Sequence, residues 1–200
     1  MNAERTAEQT APQAAQQAAD GPRRASAAFM WRHPAHWLAL GFGSGLSPRA
    51  PGTVGTLWGW VAFLVLDRWL GGSLGGWSWA LLIGAGLVVG LWACTRTAQH
   101  LGVADPGAIV WDEIIAIWLV LWLLMPAGLW AQAAAFGLFR YFDAAKPGPV
   151  GWADRRFKLR PGQTIGWRQG VGILFDDLVA AGCTLLVIAL AMVIWKALRT

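Results

Sequence analysis

The sequence predicts an all-α, integral membrane helical bundle with a broken helix or hairpin around Pro126, and three observations carry that expectation. Hydrophobic residues make up 56% of the 200 positions and charged residues only 14%, too few to wet the surface of a soluble domain. Charge-free runs dense in Leu, Val, Ile, Ala and Trp cover residues 50–66, 69–95, 114–139 and 178–195. Trp outnumbers Tyr by 15 to 1, and indole rings favour the boundary between acyl chains and headgroups.

Residues 1–28 are rich in Ala and Gln, contain Pro12 and Pro22, and lack an apolar h-region. They read as a disordered tail and not as a secretory signal. Residues 29–200 are expected to form one membrane domain. The segment Gly41–Thr56 is crowded with Gly, Pro, Ser and Thr. Its backbone could cradle an anion, with Ser44, Ser47 and Thr53 supplying hydroxyls, or it could simply lead the chain into the membrane. The first run is short and gains length from Trp69 and Leu70 or from tilt. The second and fourth read as whole crossings. Cys94 and Cys183 lie within apolar runs and read as small buried hydrophobes.

The third run is interrupted by Pro126 and Gly128, leaving arms that each rise only about 18–21 Å, shorter than a crossing. Charge counting separates a hairpin from a single kinked span. With a hairpin and an inner N-terminus, only Arg68, Lys196 and Arg199 of the 16 Lys and Arg lie outside, whereas a single span divides them evenly. The positive-inside rule favours the hairpin. A hairpin also brings Asp112 and Glu113, before the run, to the same face as Asp143 after it, near Asp176 and Asp177.

These five carboxylates border apolar runs, where an unpaired charge is expensive. A divalent cation is the natural partner, and hard oxygen ligands suit Mg2+. Adjacent acids such as Asp176-Asp177 repel unless a cation lies between them, although acids at a helix N-terminus are an ordinary alternative. Arg140, Asp143 and Lys146 recur every three residues and share a helix face, with Pro147 ending it. They read either as a metal carboxylate flanked by phosphate-binding cations or as an interfacial salt bridge. Neither cysteine is followed by an arginine at the spacing a cysteine phosphatase needs, no Asp-x-Asp-x-Thr/Val offers an aspartyl nucleophile, and His33, His36 and His100 fit no lipid-phosphatase signature. The net charge of +5 comes without any nucleic-acid reading motif, so an anionic lipid is the better partner.

Four segments in order, the glycine-rich Gly41–Thr56, Ile109-Val-Trp-Asp-Glu-Ile114, Phe139-Arg-Tyr-Phe-Asp-Ala-Ala-Lys-Pro147 and Gly170–Gly182 with its Asp176-Asp177, resemble the phosphatidylglycerophosphatase A family. The resemblance implies a largely helical protein of the bacterial inner membrane. It implies Mg2+-dependent hydrolysis of phosphatidylglycerophosphate to phosphatidylglycerol and phosphate. Lys158–Arg168 departs from the short Gly-Gly run expected there, being longer and more basic, which bears on headgroup contact.

The expectation is therefore a multi-pass phosphatase with its site at the cytoplasmic face. Asp112, Glu113, Asp143, Asp176 and Asp177 would hold Mg2+ for attack by water, while Arg140 and Lys146 neutralise the phosphate. The rival is a non-enzymatic transporter or ion channel, which would place acids at several depths. A lipid-binding scaffold without catalysis would not need all five acids. The sequence carries no signal for oligomeric state.

Overall fold

A computed structural model describes residues 24–70, 76–160 and 162–199, and among them every regular element is helical. In chain order these are α1 (Ala27–Met30), α2 (Pro34–Ala39), a 3-10 turn (Gly41–Leu46), α3 (Pro51–Leu70), α4 (Gly76–Leu101), α5 (Trp111–Leu124), α6 (Leu129–Ala145), α7 (Pro149–Phe157) and α8 (Trp167–Ala197). The boundary expected between residues 28 and 29 falls inside α1, which Ser26 caps by accepting from the Phe29 amide and which buries Phe29 and Met30. Residues 1–23, the bulk of the expected tail, lie outside the described residues.

The third apolar run is a hairpin of two helices. Met125-Pro126 interrupts the helical ladder, α5 stops at Leu124, and α6 starts at Leu129. The arms are antiparallel, since Glu113 in the first turn of α5 reaches Arg140 in the last third of α6. Gln132 closes the turn. It donates to the Ala127 carbonyl at 2.9 Å and accepts from Trp60 Nε1 of α3 at 2.8 Å, satisfying two polar groups that lipid could not.

α5 is the centre of the bundle, packed by α3, α4, α6 and α8. Its 14 residues rise about 21 Å, and Ile114, Ile115, Ala116, Ile117, Val120 and Leu121 are all buried. Two indoles fix it to its neighbours: Trp111 Nε1 donates to the Gly86 carbonyl of α4 and Trp118 Nε1 to the Gly59 carbonyl of α3. Glycines allow this closeness. A Cβ at Gly59 would lie 2.9 Å from Ile117, and one at Gly90 would lie 2.5 Å from Trp111.

The surrounding helices turn apolar side chains outward. Leu57, Val61 and Val65 of α3, Leu81 and Val88 of α4, and Leu190, Val193 and Ile194 of α8 are exposed, a liability in water and an ordinary lipid face in a bilayer. Trp77–Leu101 and Trp167–Ala197 are long and apolar enough to cross a membrane. The part of α8 beyond Asp177 rises about 30 Å, matching the hydrocarbon thickness, which leaves Asp176 and Asp177 near one boundary. At the opposite end, Trp69, Trp77, Trp130 and Trp195 are all exposed, where indoles favour a membrane–water boundary. The protein is membrane-associated and built from helices alternating in direction, so that the start of α3, α5 and α8 and the finish of α4 and α6 share one end.

Candidate active site

That shared end holds every described acidic residue except Asp67, which accepts from Trp79 Nε1 at the other end. Each reaches it for a local reason. Asp112 and Glu113 occupy the first turn of α5, where the helix dipole favours negative charge. Asp176 and Asp177 lie well inside α8, which starts at Trp167, so the dipole does not explain them. Asp143 follows Arg140 by one turn of α6. Lys146 caps α6 in a left-handed conformation (φ 46°, ψ 48°), and Pro147 prevents the helix from continuing.

Two cation-centred groups organise the acids. In the first, Arg140 Nη1 donates to Glu113 Oε1 at 3.2 Å, to Thr56 Oγ1 at 3.3 Å and to Asp143 Oδ2. Thr56 in turn donates to the Gly52 carbonyl at 2.8 Å. Gly52 has to be glycine for Glu113 to sit where it does, because a Cβ there would lie 2.1 Å from Glu113 Oε1. In the second group, Lys146 Nζ donates to Asp154 Oδ1 of α7 and to Asp176 Oδ2 of α8, both at 2.6 Å, and Lys158 Nζ holds the other Asp154 oxygen at 2.9 Å.

Burial works to lower Lys146, but its hydrogen bonds to Asp154 and Asp176 override it, and its pKa lies well above the usual lysine value. Asp154 shows the complement: burial works to raise it, and the bonds from Lys146 and Lys158 hold it below the ordinary carboxylate range. Asp105, in the loop between α4 and α5, lines an open cleft with Asp154, Lys158, Gln169 and Asp176. Burial raises it, with Lys146 opposing and Asp154 and Asp143 reinforcing the rise.

Among the described residues three carboxylate oxygens are buried without any partner, Asp112 Oδ1, Glu113 Oε2 and Asp177 Oδ2, and Arg140 Nε is likewise unpaired. Buried acceptors left empty are costly, and these lie on acids that act on one another electrostatically across α5 and α8. Among the described residues no three His, Cys, Asp or Glu side chains close on one point. Mg2+ does not require that, since it typically takes one or two carboxylates, keeps waters and shares its remaining positions with phosphate. Hard, anionic, unpartnered oxygens facing a surplus of acid over base fit such an ion.

The expected hydroxyls lie differently. Ser44 donates to the Gly41 carbonyl and Ser47 to the Arg49 carbonyl, both within their own loop, and Thr53 is exposed. The hydroxyl on the Arg140 side is Thr56. α3 begins at Pro51, so positions 52 and 56 share the face toward α5, while 53 is turned about 100° away. The loop's glycines serve packing: Gly41 and Gly43 take positive φ, and a Cβ at Gly45 would lie 2.0 Å from the Ala108 carbonyl oxygen. His36 uses its ring nitrogens on the Phe29 carbonyl and His100. Asp105 and Asp154 were not singled out by sequence, because neither borders an apolar run; Lys158 entered only as the first residue of the basic Lys158–Arg168 segment.

Comparison with known proteins bears directly on this arrangement. Residues 37–192 match the family model described as Phosphatidylglycerophosphatase A. A protein of that name from Escherichia coli is 39% identical over 157 residues, 78% of this chain and 82% of its own. Another from Haemophilus influenzae is 37% identical over 150 residues, 74% of this chain and 83% of its own. A Bacteroides thetaiotaomicron protein, provisionally named a phosphatidylinositol-3-phosphatase, is 34% identical over 157 residues, 77% of this chain and 91% of its own. No solved structure gives a significant match.

Proposed function

We infer the chemistry of the site from one premise: this chain belongs to the phosphatidylglycerophosphatase A family and is a phosphatase that removes the terminal phosphate of phosphatidylglycerophosphate. The reaction is hydrolysis of a phosphomonoester, among the slowest uncatalysed reactions, so both charge neutralisation and in-line positioning of water are needed.

The observation that carries the proposal is the set of empty buried acceptors, Asp112 Oδ1, Glu113 Oε2 and Asp177 Oδ2. One or two of these acids would hold Mg2+ at the polar end of the bundle, with water and phosphate completing its shell, while Asp143 and Asp176 are engaged by Arg140 and Lys146. When bound, that ion supplies Lewis-acid polarisation of the phosphate and a lowered pKa for water.

The chain's own groups do the rest. Arg140 is fixed by Glu113, Asp143 and Thr56 through Nη1, which leaves its remaining N–H groups for equatorial phosphate oxygens. Lys146 has two of its three N–H directions occupied by Asp154 and Asp176, and the third is free to point at the same phosphate. A carboxylate not engaged with the ion takes the proton released when water attacks. The acyl chains stay in the bilayer beside the exposed apolar faces while the headgroup enters the polar end, so the lipid need not be extracted. Arg155, Arg156, Lys158, Arg160 and Arg168 gather at this end, and the positive-inside rule assigns it to the cytoplasm.

A transporter or channel would need acids distributed along a path. Asp67 and its Trp79 partner are the only described acid feature at the opposite end, which weighs against that reading. The test is phosphate release from phosphatidylglycerophosphate by detergent-purified protein, with Mg2+ or with chelator, for wild type and the Asp176→Asn, Asp177→Asn double variant. Release that requires Mg2+ and falls at least about 100-fold in the folded variant is expected, as for loss of an electrostatic catalytic group. Full activity in chelator, or in the variant, would overturn the metal site.

A further inference from the structure

We propose that Asp154 is a positioning residue for the phosphatase reaction, holding Lys146 Nζ against the substrate phosphate, and that Lys158 couples this clamp to the basic segment before α8. The inference rests on the reading of Lys146 as a phosphate ligand. It goes further by assigning roles to two residues outside the family motifs that first drew attention to the site.

The geometry separates Asp154 from the other acids. Asp112, Glu113 and Asp177 each leave a buried oxygen without a partner, as ligands awaiting an ion would. Asp154 leaves none: Oδ1 is taken by Lys146 at 2.6 Å and Oδ2 by Lys158 at 2.9 Å. A carboxylate with each oxygen bonded to an ammonium group has both charges of its neighbours matched to it, and its task is to fix those groups.

Lys146 needs such fixing. A lysine has four rotatable side-chain bonds and a point charge, and alone it would sample many positions. Here its backbone is pinned first. It sits in the left-handed region between the end of α6 and Pro147, and the approach of α7 is so close that a Cβ on Gly151 would lie 2.6 Å from the Lys146 carbonyl oxygen. Asp154 and Asp176 then hold the ammonium from two helices, so that one N–H direction remains. α7 thus acts as a bracket: Val150 and Ala153 bury one side of it against the bundle, and Asp154 faces the same way.

Lys158 follows Asp154 by four residues and is mostly exposed, and Leu159 and Arg160 beyond it also reach the surface. A headgroup that engages this segment therefore pulls on the same carboxylate that aims Lys146, which links headgroup contact to phosphate placement.

The experiment measures kcat and KM for phosphatidylglycerophosphate, the half-saturating Mg2+ concentration and the thermal midpoint for Asp154→Asn, Asp154→Glu, Lys146→Ala and the Lys146→Ala, Asp154→Asn double variant. Asp154→Asn is expected to raise KM about tenfold, the scale of one charge-assisted hydrogen bond, without moving the Mg2+ requirement. Asp154→Glu recovers most of the affinity. Because Asp154 acts through Lys146, adding Asp154→Asn to Lys146→Ala changes kcat/KM no further. Inhibition by inorganic phosphate weakens in parallel with KM, a readout that a merely structural role would not move.

An additive loss in the double variant overturns the proposal, and so does a shift in the Mg2+ requirement, which would make Asp154 a metal ligand. A fall in thermal midpoint that accounts for the whole loss of activity reduces Asp154 to a structural brace and overturns it equally. Failure of the underlying reading looks different: Lys146→Ala then leaves KM and phosphate inhibition at wild-type values.

Discussion

Replacing Gly52 by Ala adds one methyl group at the narrowest point between α3 and the Arg140 group, and its effect can be worked from distances. The new Cβ would lie 2.1 Å from Glu113 Oε1 and 3.1 Å from Arg140 Nη2. To regain an ordinary contact of 3.4 Å the Glu113 oxygen must retreat by about 1.3 Å, which displaces it from its 3.2 Å bond to Arg140 and stretches that bond to as much as about 3.9 Å, past hydrogen-bond range. The obstacle is the tip of a flexible side chain and not backbone, so the fold can yield. Losing the Arg140–Glu113 bond costs about 1–2 kcal/mol, and Ala is favoured over Gly in a helix by about 1 kcal/mol, so stability changes little. Catalysis has no such compensation: a misplacement of about 1 Å is worth roughly 100-fold in rate. The assay pairs phosphate release with thermal unfolding in detergent, using Gly84→Ala as control, since a Cβ at Gly84 meets nothing within 4 Å. Gly52→Ala is expected to melt within a few degrees of wild type yet lose about two orders of magnitude in kcat/KM. A folded variant with wild-type kcat/KM would refute the placement of Glu113 and Arg140. An unfolded one would refute the idea that the carboxylate gives way.

Two other perturbations read separate parts of the molecule. Burial raises Asp105, so the fold is favoured while it is protonated and loses that advantage as pH rises through its raised pKa; Asp105→Asn should therefore melt with wild type at about pH 4 and above it at about pH 8. An equal difference at both values would show that charge burial is not the cause. Gln132→Leu strands Trp60 Nε1 and the Ala127 carbonyl at the hairpin turn, and a loss of about 1–2 kcal/mol in equilibrium unfolding with kcat preserved is expected; unchanged stability would mean the turn does not depend on this staple.

The hairpin was legible because two independent signals, the Pro126 and Gly128 break and the distribution of Lys and Arg, agreed. The acids at run ends were legible because charge beside a lipid-length apolar stretch is costly enough to stand out. Asp105 and Asp154 sit in a loop and a short polar helix, where an acid is ordinary, and only the fold of α7 over the end of α6 brings Asp154 to Lys146. The hydroxyl that α3 presents to Arg140 is Thr56, because where the helix starts sets its rotation: beginning at Pro51, it turns Thr56 inward and Thr53 outward. Ser44 and Ser47 belong to a tight turn whose own carbonyls claim their hydroxyls. Gly52, the residue on which the Arg140 group most depends, carried no signal beyond being one glycine among 25.

The seclusion of α5 has a consequence for how the protein tolerates its surroundings. Bilayers differ in thickness, and helices in contact with lipid accommodate by tilting. Here the exposed apolar faces belong to α3, α4, α6 and α8, whereas Asp112 and Glu113 stand on a short post that protein encloses up to its last turn, where Leu123 emerges. In the proposed site the depth of the reacting phosphate would then be set by a ruler inside the protein and not by the membrane around it, so the outer wall can lean as the bilayer thins or thickens while the post keeps its height.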